Sequence, residues 1–196
     1  KAQAVVEWPV PSCVKDVRAS VGLASYYRRF VPNFAEIASP LHGLMKKNVR
    51  FVWLEEHQAA FEQLKAKLVQ SPILVTPDDH HEFILDTDAS NRFAGAAVLS
   101  MMIDGQEHVV AYASRAFSKQ QRNYCVTRRE LLVVVLALKT FKQYLLGRHF
   151  VIRTDHSALQ WFRRSKEPIG QPERWLEMME EFDFEIPYRS ASKHSN

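Results

Sequence analysis

The sequence predicts an α/β protein in which a mixed five-stranded sheet is flanked by helices and preceded by a small all-helical domain. Residues 1–77 carry apolar side chains at helical spacing, whereas the chain after residue 78 changes to the two-residue alternation of strands. In that second part, three strand-like runs precede a long helical one, and a further strand, two helices and a last strand follow. This order of elements is typical of a sheet with helices packed against it.

The first 77 residues are predicted to be helical. Residues 14–23 follow Pro11-Ser12, residues 33–47 begin at Asn33 as a capping residue, and residues 55–69 have two glutamates in the first turn, where the helix dipole favours acidic groups. Aromatic residues at helical spacing are more often core residues than base-stacking ones. We therefore expect Tyr26, Tyr27 and Phe30 to pack in the core.

The domain boundary is predicted at residues 77 and 78, where the composition turns polar. Asp104-Gly105 predicts a hairpin turn within a three-stranded meander, and Gly147 is suited to the left-handed end of the long helix. Because a helix crosses over between two strands, the strand after it should run parallel to its neighbour. The predicted elements are strands at 83–88, 95–101, 109–114, 149–154 and 182–186 and helices at 127–146, 157–164 and 172–181.

Composition excludes several classes of protein. Two cysteines with no CxxC or Cys/His spacing argue against a disulfide framework or a zinc site and favour a reducing, intracellular compartment. No apolar run approaches the roughly 18 residues that a membrane span needs. A net charge of +4 is compatible with a polyanionic partner. The chain starts without Met, so we read it as a segment of a longer protein.

Three carboxylates are predicted to meet at one edge of the sheet. Asp88 closes a strand, Glu130 lies near the start of the long helix, and Asp155 closes the strand that follows this helix. Carboxylate oxygens are the ligands that Mg²⁺ prefers, and two such ions about 3.5–4 Å apart can stabilise both the attacking and the leaving oxygen of a phosphodiester displacement. The three residues are therefore candidate metal ligands of a nuclease.

Each candidate also has a structural interpretation. Asp86 lies on the same strand face as Asp88 and is a rival ligand, although the small residues after Asp88 leave more room for a metal and a phosphate. Glu130 could complete a capping box with Thr127, and Asp155 could cap the next helix. His156 could shuttle protons or merely hydrogen-bond within its loop.

Basic pairs are candidate phosphate contacts, or solvated faces of no special function. Arg128-Arg129 is favoured because it neighbours Glu130. Asp183 and Glu185 alternate with aromatic residues and are expected on the solvent face of the last strand. The pairs are Arg28-Arg29, Lys46-Lys47, Arg128-Arg129 and Arg163-Arg164.

Several blocks of the sequence resemble the ribonuclease H domain of Ty3/gypsy-type retrotransposon polyproteins, and residues 17–30 and Trp8-Pro9 resemble the reverse transcriptase thumb and palm exit of the same family. Long blocks in the correct order are far more specific than a single motif. The blocks are Leu85-Asp86-Thr87-Asp88-Ala89-Ser90, Gly95-Ala96-Ala97-Val98-Leu99, Ala111-Tyr112-Ala113-Ser114-Arg115, Asn123-Tyr124, Thr127-Arg128-Arg129-Glu130-Leu131-Leu132 and Thr154-Asp155-His156-Ser157-Ala158-Leu159-Gln160-Trp161.

This resemblance implies a ribonuclease H-like fold that hydrolyses the RNA strand of RNA–DNA hybrids. It implies Asp88, Glu130 and Asp155 as ligands of two Mg²⁺ or Mn²⁺ ions, and nucleic-acid contacts from the residues listed at the end of this paragraph. The implied partners are the hybrid or template-primer duplex, the palm and fingers of the reverse transcriptase, and the integrase of the parent polyprotein. The implied location is the cytoplasm or a virus-like particle, with the nucleus as an alternative. The implied nucleic-acid contacts are Arg28, Arg29, Arg128, Arg129 and His156.

Two departures from the family pattern shape the expectations. The palm aspartates are absent, so DNA synthesis is not expected, and the chain ends at Asn196 before the family's last helix and fourth carboxylate. The alternatives are therefore a catalytically incomplete fragment that binds nucleic acid and a domesticated remnant that serves protein contacts. An integrase-like nuclease is a further alternative, which the thumb-like first third disfavours.

Overall fold

The computed structural model describes residues 5, 7–70, 74–89, 93–154 and 171–187. The predicted helix at 157–164 lies outside these residues. The described helices are α1 (Val14–Tyr26), α2 (Phe34–Ile37), α3 (Ser39–Leu44), α4 (Glu55–Val69), α5 (Val126–Leu145) and α6 (Gln171–Glu180), with 3₁₀ turns at Arg28–Phe30 and Gln121–Asn123. The strands are β1 (Phe83–Asp88), β2 (Ala94–Ile103), β3 (Gln106–Ala116), β4 (His149–Arg153) and β5 (Asp183–Glu185).

The five strands form one mixed sheet in the order β3-β2-β1-β4-β5. Neighbouring strands β1, β2 and β3 are antiparallel, while β4 runs parallel to both β1 and β5. The predicted meander, the parallel crossover through the long helix and the mixed five-stranded sheet are therefore confirmed. The parallel pairing has a functional consequence, because β1 and β4 end at the same edge of the sheet.

Two local signals account for the turns that join these elements. Asp104 and Gly105 both have left-handed backbones, with φ values of 50° and 76°, which is the geometry of a two-residue hairpin turn that matches the twist of its strands. Gly147 follows Leu146, the C-cap of α5, and has φ of 75°. A residue with a Cβ adopts this conformation only at a cost, so glycine ends α5 where the sequence predicted.

The described residues form two hydrophobic clusters. One lies between the sheet and α5, and its members include Leu85, Leu99, Val134 and Ile152, which are all 0% exposed. The other lies within the helical part, which consists of α1 to α4, and includes Phe34, Leu41 and Phe61. The domain boundary at residues 77 and 78 stays a prediction. None of the described helices combines the length and apolarity needed to cross a membrane.

The single helix predicted over residues 33–47 is wrong. The structure has two short helices instead, α2 and α3, which meet at Ala38. Pro40 lies in the first turn of α3, and proline both lacks an amide donor and disfavours a helical backbone in the residue before it. Asn33 does precede α2, but with φ of 53° and without a side-chain capping hydrogen bond.

The core position predicted for Tyr26 is also wrong. Its side chain is 78% exposed at the end of α1, although its ring contacts that of Tyr27 edge-on with centroids 5.0 Å apart. Tyr27 and Phe30 are half-buried. Helical spacing alone failed because α1 ends at Tyr26 and the 3₁₀ turn redirects the chain. An exposed aromatic ring beside two arginines is therefore available for contact with a partner.

The pairing of β4 with β5 should depend on pH through His149. Protonated His149 donates from Nδ1 to Asp183 Oδ1 at 3.0 Å, and this hydrogen bond raises the pKa of His149 above its usual value of 6.5. A raised pKa means that the interaction is fully present below pH 6.5 and is lost as the pH rises through the folded-state pKa. An NMR titration should give His149 a pKa above 6.5, and Asp183→Asn should lower it. An unchanged titration in Asp183→Asn would contradict this assignment.

Candidate active site and nucleic-acid surface

Asp88 is the last residue of β1 and is exposed. The rival ligand Asp86 is engaged elsewhere, because Arg153 Nη2 donates to its Oδ2 at 2.6 Å and the same guanidinium binds both carboxylate oxygens of Glu107 at 2.6 and 2.5 Å. The hydrogen bonds to Glu107 and Asp86 raise the pKa of Arg153. Asp86 is thus part of an ion-pair network, while the choice of Asp88 as a metal ligand stays a prediction.

Glu130 lies in the second turn of α5 and is only 6% exposed. Its neighbour on the same helix face, Val133, is so close to Gly95 of β2 that a Cβ on Gly95 would overlap it. Gly95 adjoins Ala96, which pairs with Asp88. This contact packs the part of α5 that carries Glu130 against the start of β2, whereas a common site for Glu130 and Asp88 stays a prediction.

The capping box of Thr127 and Glu130 is not formed. The helix starts at Val126 with Cys125 as its N-cap, so Thr127 lies inside the first turn, and the Cys125 side chain makes no capping hydrogen bond. The capping box of Thr127 and Glu130, which their spacing in the sequence allowed, is therefore not the role of Glu130.

Asp155 and His156 lie outside the described residues. Two threonines that precede the predicted ligands are described, and both hydroxyls, Thr87 Oγ1 and Thr154 Oγ1, are buried without a hydrogen-bond partner in the described part of the chain. Buried hydroxyls ordinarily bind protein, water or ions. Within the described ranges, no group of three or more His, Cys, Asp or Glu side chains is placed to hold a metal.

The structure separates the roles of Arg28 and Arg29. Arg28 donates from Nη2 to the carbonyl oxygen of Ser114 in β3, and its guanidinium lies 5.4 Å from the ring centroid of Phe34. Arg29 is exposed and stacks on Phe30 at 5.5 Å. Arg28 therefore joins two parts of the chain, whereas Arg29 and Tyr26 present a basic and aromatic surface. Nucleic-acid contact by either arginine stays a prediction.

Arg128 and Arg129 are half-buried beside Glu130. The Arg128 guanidinium lies 4.2 Å from the ring centroid of Tyr124 and 5.9 Å from that of Trp175 in α6. Stacking on two rings holds a guanidinium in a defined orientation. A positive group close to Glu130 on the same helix is thereby held in a defined position, although its contact with phosphate stays a prediction.

Two features, one directly before β2 and one in β3, were not predicted from the sequence. Phe93 is 58% exposed and lies under the Arg122 guanidinium, 5.2 Å from it, and Ser114 joins β3 to the helical part. The exposed Phe93 could have been noticed in the sequence, because it is an apolar residue directly after the polar run Ser90-Asn91-Arg92. No local sequence pattern indicates the contacts of Ser114, because its partners are more than 75 residues away in the sequence.

A mixed sheet in the order β3-β2-β1-β4-β5, with the long helix α5 packed against it, is the architecture of the RNase H-like class. The family model described as an RNase H-like domain found in reverse transcriptase matches residues 78–182. The chain therefore belongs to this family, and the predicted RNase H-like fold is confirmed.

Relatives extend the match to the helical part. The chain is 41% identical over 196 residues to the retrovirus-related Pol polyprotein from transposon 297 of Drosophila melanogaster, covering 100% of the chain and 18% of the relative. It is 34% identical to the transposon Tf2-3 polyprotein of Schizosaccharomyces pombe, covering 96% of the chain and 14% of the relative. The chain thus spans less than a fifth of the length of these curated relatives. The predicted resemblance to retrotransposon Pol polyproteins is confirmed.

Solved structures show the same fold. The foamy viral protease-reverse transcriptase in complex with dsDNA has a TM-score of 0.79 at 22% identity and covers 99% of this chain and 42% of that one. The same viral protein in complex with an RNA/DNA hybrid has a TM-score of 0.77 at 22% identity, covering 98% of this chain and 27% of that one. The helical part and the sheet are therefore both included in the structural likeness.

Proposed function

We propose that this segment hydrolyses the RNA strand of RNA–DNA hybrids, with Asp88, Glu130 and Asp155 as the metal-binding carboxylates. The observation that carries the proposal is that the exposed Asp88 ends β1, the strand that pairs in parallel with β4, in a sheet of the RNase H-like family. Family membership and the foamy viral structures with nucleic acid support it.

Asp155 completes the proposed set by its place in the sequence. Asp86 pairs with Arg153 in the parallel register of β1 and β4, and Asp88 and Asp155 each follow these partners by two residues. Ligands of sheets with parallel strands gather beyond the carboxyl ends of those strands. The pairing therefore supports a common site for the two aspartates.

The donor chemistry of this edge fits Mg²⁺ or Mn²⁺. Carboxylates are the hard oxygen ligands that these ions prefer. When bound, two such ions supply an activated water and neutralise the leaving 3′ oxygen. The protein side chains would hold the ions and orient the scissile phosphate, and no protein nucleophile is required.

Recognition of the hybrid would rest on its shape and backbone. Phosphate contacts position a duplex without reading its sequence, and the 2′-hydroxyl distinguishes RNA from DNA. The stacked Arg128 lies two residues before Glu130 on α5, and the exposed Arg29 and Tyr26 lie on the helical part. We expect cleavage with little sequence preference.

The test is a cleavage assay with the purified full chain and four labelled substrates of one sequence: RNA–DNA hybrid, double-stranded DNA, double-stranded RNA and single-stranded RNA. Cleavage of only the RNA strand of the hybrid, dependent on Mg²⁺ or Mn²⁺ and stopped by a chelator, would support the proposal. Hybrid binding without cleavage at any metal concentration would instead identify a nucleic-acid-binding segment.

Arg29 should contribute to hybrid affinity through a phosphate contact. Arg29→Ala is expected to weaken binding of all sequences alike and to reduce the slope of log K against log salt concentration by about 1, because one fewer counterion is released. The exposed Arg50, in the segment before α4, provides the matched control. Binding isotherms at four salt concentrations measure both slopes, and equal slopes for the two variants would refute the contact.

A further inference from the structure

Ser114 of β3 connects the sheet to the helical part of the chain. Its hydroxyl oxygen accepts a hydrogen bond from the backbone N–H of Ala35 at 2.9 Å, and its carbonyl oxygen accepts one from the Arg28 guanidinium. The Arg28 guanidinium also lies over the ring of Phe34, which is buried in the helical cluster. One residue of β3 thus receives hydrogen bonds from both α2 and the 3₁₀ turn.

The hydroxyl of Ser114 performs a capping function for α2. The first amides of a helix have no partner within the helix and are usually satisfied by the N-cap side chain. Here the N-cap Asn33 has a left-handed backbone and makes no such bond, while the Ala35 amide is satisfied by Ser114 from another part of the chain. The start of α2 is therefore defined by its contact with the sheet.

Ser114 also lies in register with the candidate ligand Asp88. Asp88 pairs with Ala96 of β2, and Ala96 pairs with Ser114 of β3, so the three residues form one row across the sheet. Neighbouring strands are about 4.8 Å apart, which places Ser114 about 10 Å from Asp88. A small cavity at this point is lined by Asp88, Ala96 and Ser114 from the sheet and by Asn33 and Glu36 from the helical part.

We infer that Ser114 is a positioning residue, which holds the helical part at a set distance from Asp88 and thereby determines where along a bound hybrid the RNA is cut. The effect on the cut position rests on the proposed function, whereas the effect on the distance does not. The helical part carries Arg29 and Tyr26, so a duplex bound there reaches Asp88 at a position that depends on this junction.

The first test measures the junction without any activity. Cys13 at the start of α1 and Cys125 at the start of α5 are the two cysteines of the chain, and both are exposed. Spin labels on them report the distance between the helical part and the sheet by pulsed electron paramagnetic resonance. We expect one narrow distance distribution for the native chain, a broader one for Ser114→Ala, and a narrow one for Ser114→Thr, which keeps the hydroxyl.

The second test measures cut positions on an end-labelled hybrid of defined length. Ser114→Ala is expected to spread cleavage over at least twice as many positions while the total rate changes less than about threefold, which is under 1 kcal/mol in activation free energy. Ser114→Thr should restore the native pattern. A purely structural role would lower the rate at every position alike and would leave the pattern unchanged.

The two tests separate the failure of this inference from the failure of the proposed function. Narrow and identical distances in Ser114→Ala and the native chain would overturn the positioning role, whether or not the chain cleaves RNA. A cut pattern that stays unchanged while the distances broaden would overturn it as well. Absence of cleavage by the native chain, together with the expected distances, would overturn the proposed nuclease and retain the junction.

Discussion

Asp88→Asn is expected to reduce hybrid cleavage by about 10³-fold or more while hybrid binding changes little. The substitution removes the negative charge that a divalent ion requires and keeps the size of the side chain. Stabilisation by a bound metal ion is worth several kcal/mol in the transition state, and each 1.36 kcal/mol corresponds to a factor of ten in rate. Single-turnover cleavage at saturating Mn²⁺ and Mg²⁺, with binding measured in parallel, tests this expectation.

Asp86→Asn provides the matched control, because it makes the same change two residues earlier on the same strand face. Asp86 binds Arg153, which keeps its two contacts with Glu107 in the variant. We expect a loss of about 1 kcal/mol in the free energy of unfolding, because the pair is partly exposed, and cleavage within a few-fold of the native rate. Equal losses of cleavage in both variants would mean that Asp88 has no distinct role.

Gly95→Ala is expected to destabilise the protein by about 1–3 kcal/mol, since an added Cβ would overlap Val133 and contact Phe117 in a packed core. For a chain of this size, that corresponds to a fall in melting temperature of about 2–4 °C per kcal/mol. Cleavage should fall further than stability alone explains, because the displaced part of α5 carries Glu130 one turn before Val133. Thermal unfolding and cleavage of the folded fraction measure the two effects.

Gly22→Ala is the control for the glycine substitution. Gly22 lies inside α1, and an added Cβ would meet no atom within 4 Å. Alanine is the better helix former by about 0.5–1 kcal/mol, so this variant should be slightly more stable than the native chain. If Gly95→Ala were as stable as Gly22→Ala, close contact between β2 and α5 would not constrain this position.

Local sequence signals predicted the sheet well for a physical reason. The apolar run at residues 83–85 becomes the buried part of β1, and the Asp104-Gly105 and Gly147 signals report backbone conformations that few residues adopt. The same reasoning failed for residues 33–47 and for Tyr26, because helical spacing does not show where a helix breaks or which of its faces is covered.

The sequence by itself determined the order of the strands and helices, the parallel crossover and the family, because periodicity, turn residues and long ordered motifs are all properties of neighbouring residues. Only the tertiary structure decided that Glu130 is buried, that Asp86 belongs to an ion-pair network, and that Ser114 caps α2. These three facts depend on how elements far apart in the chain pack against one another, and no local pattern records such contacts.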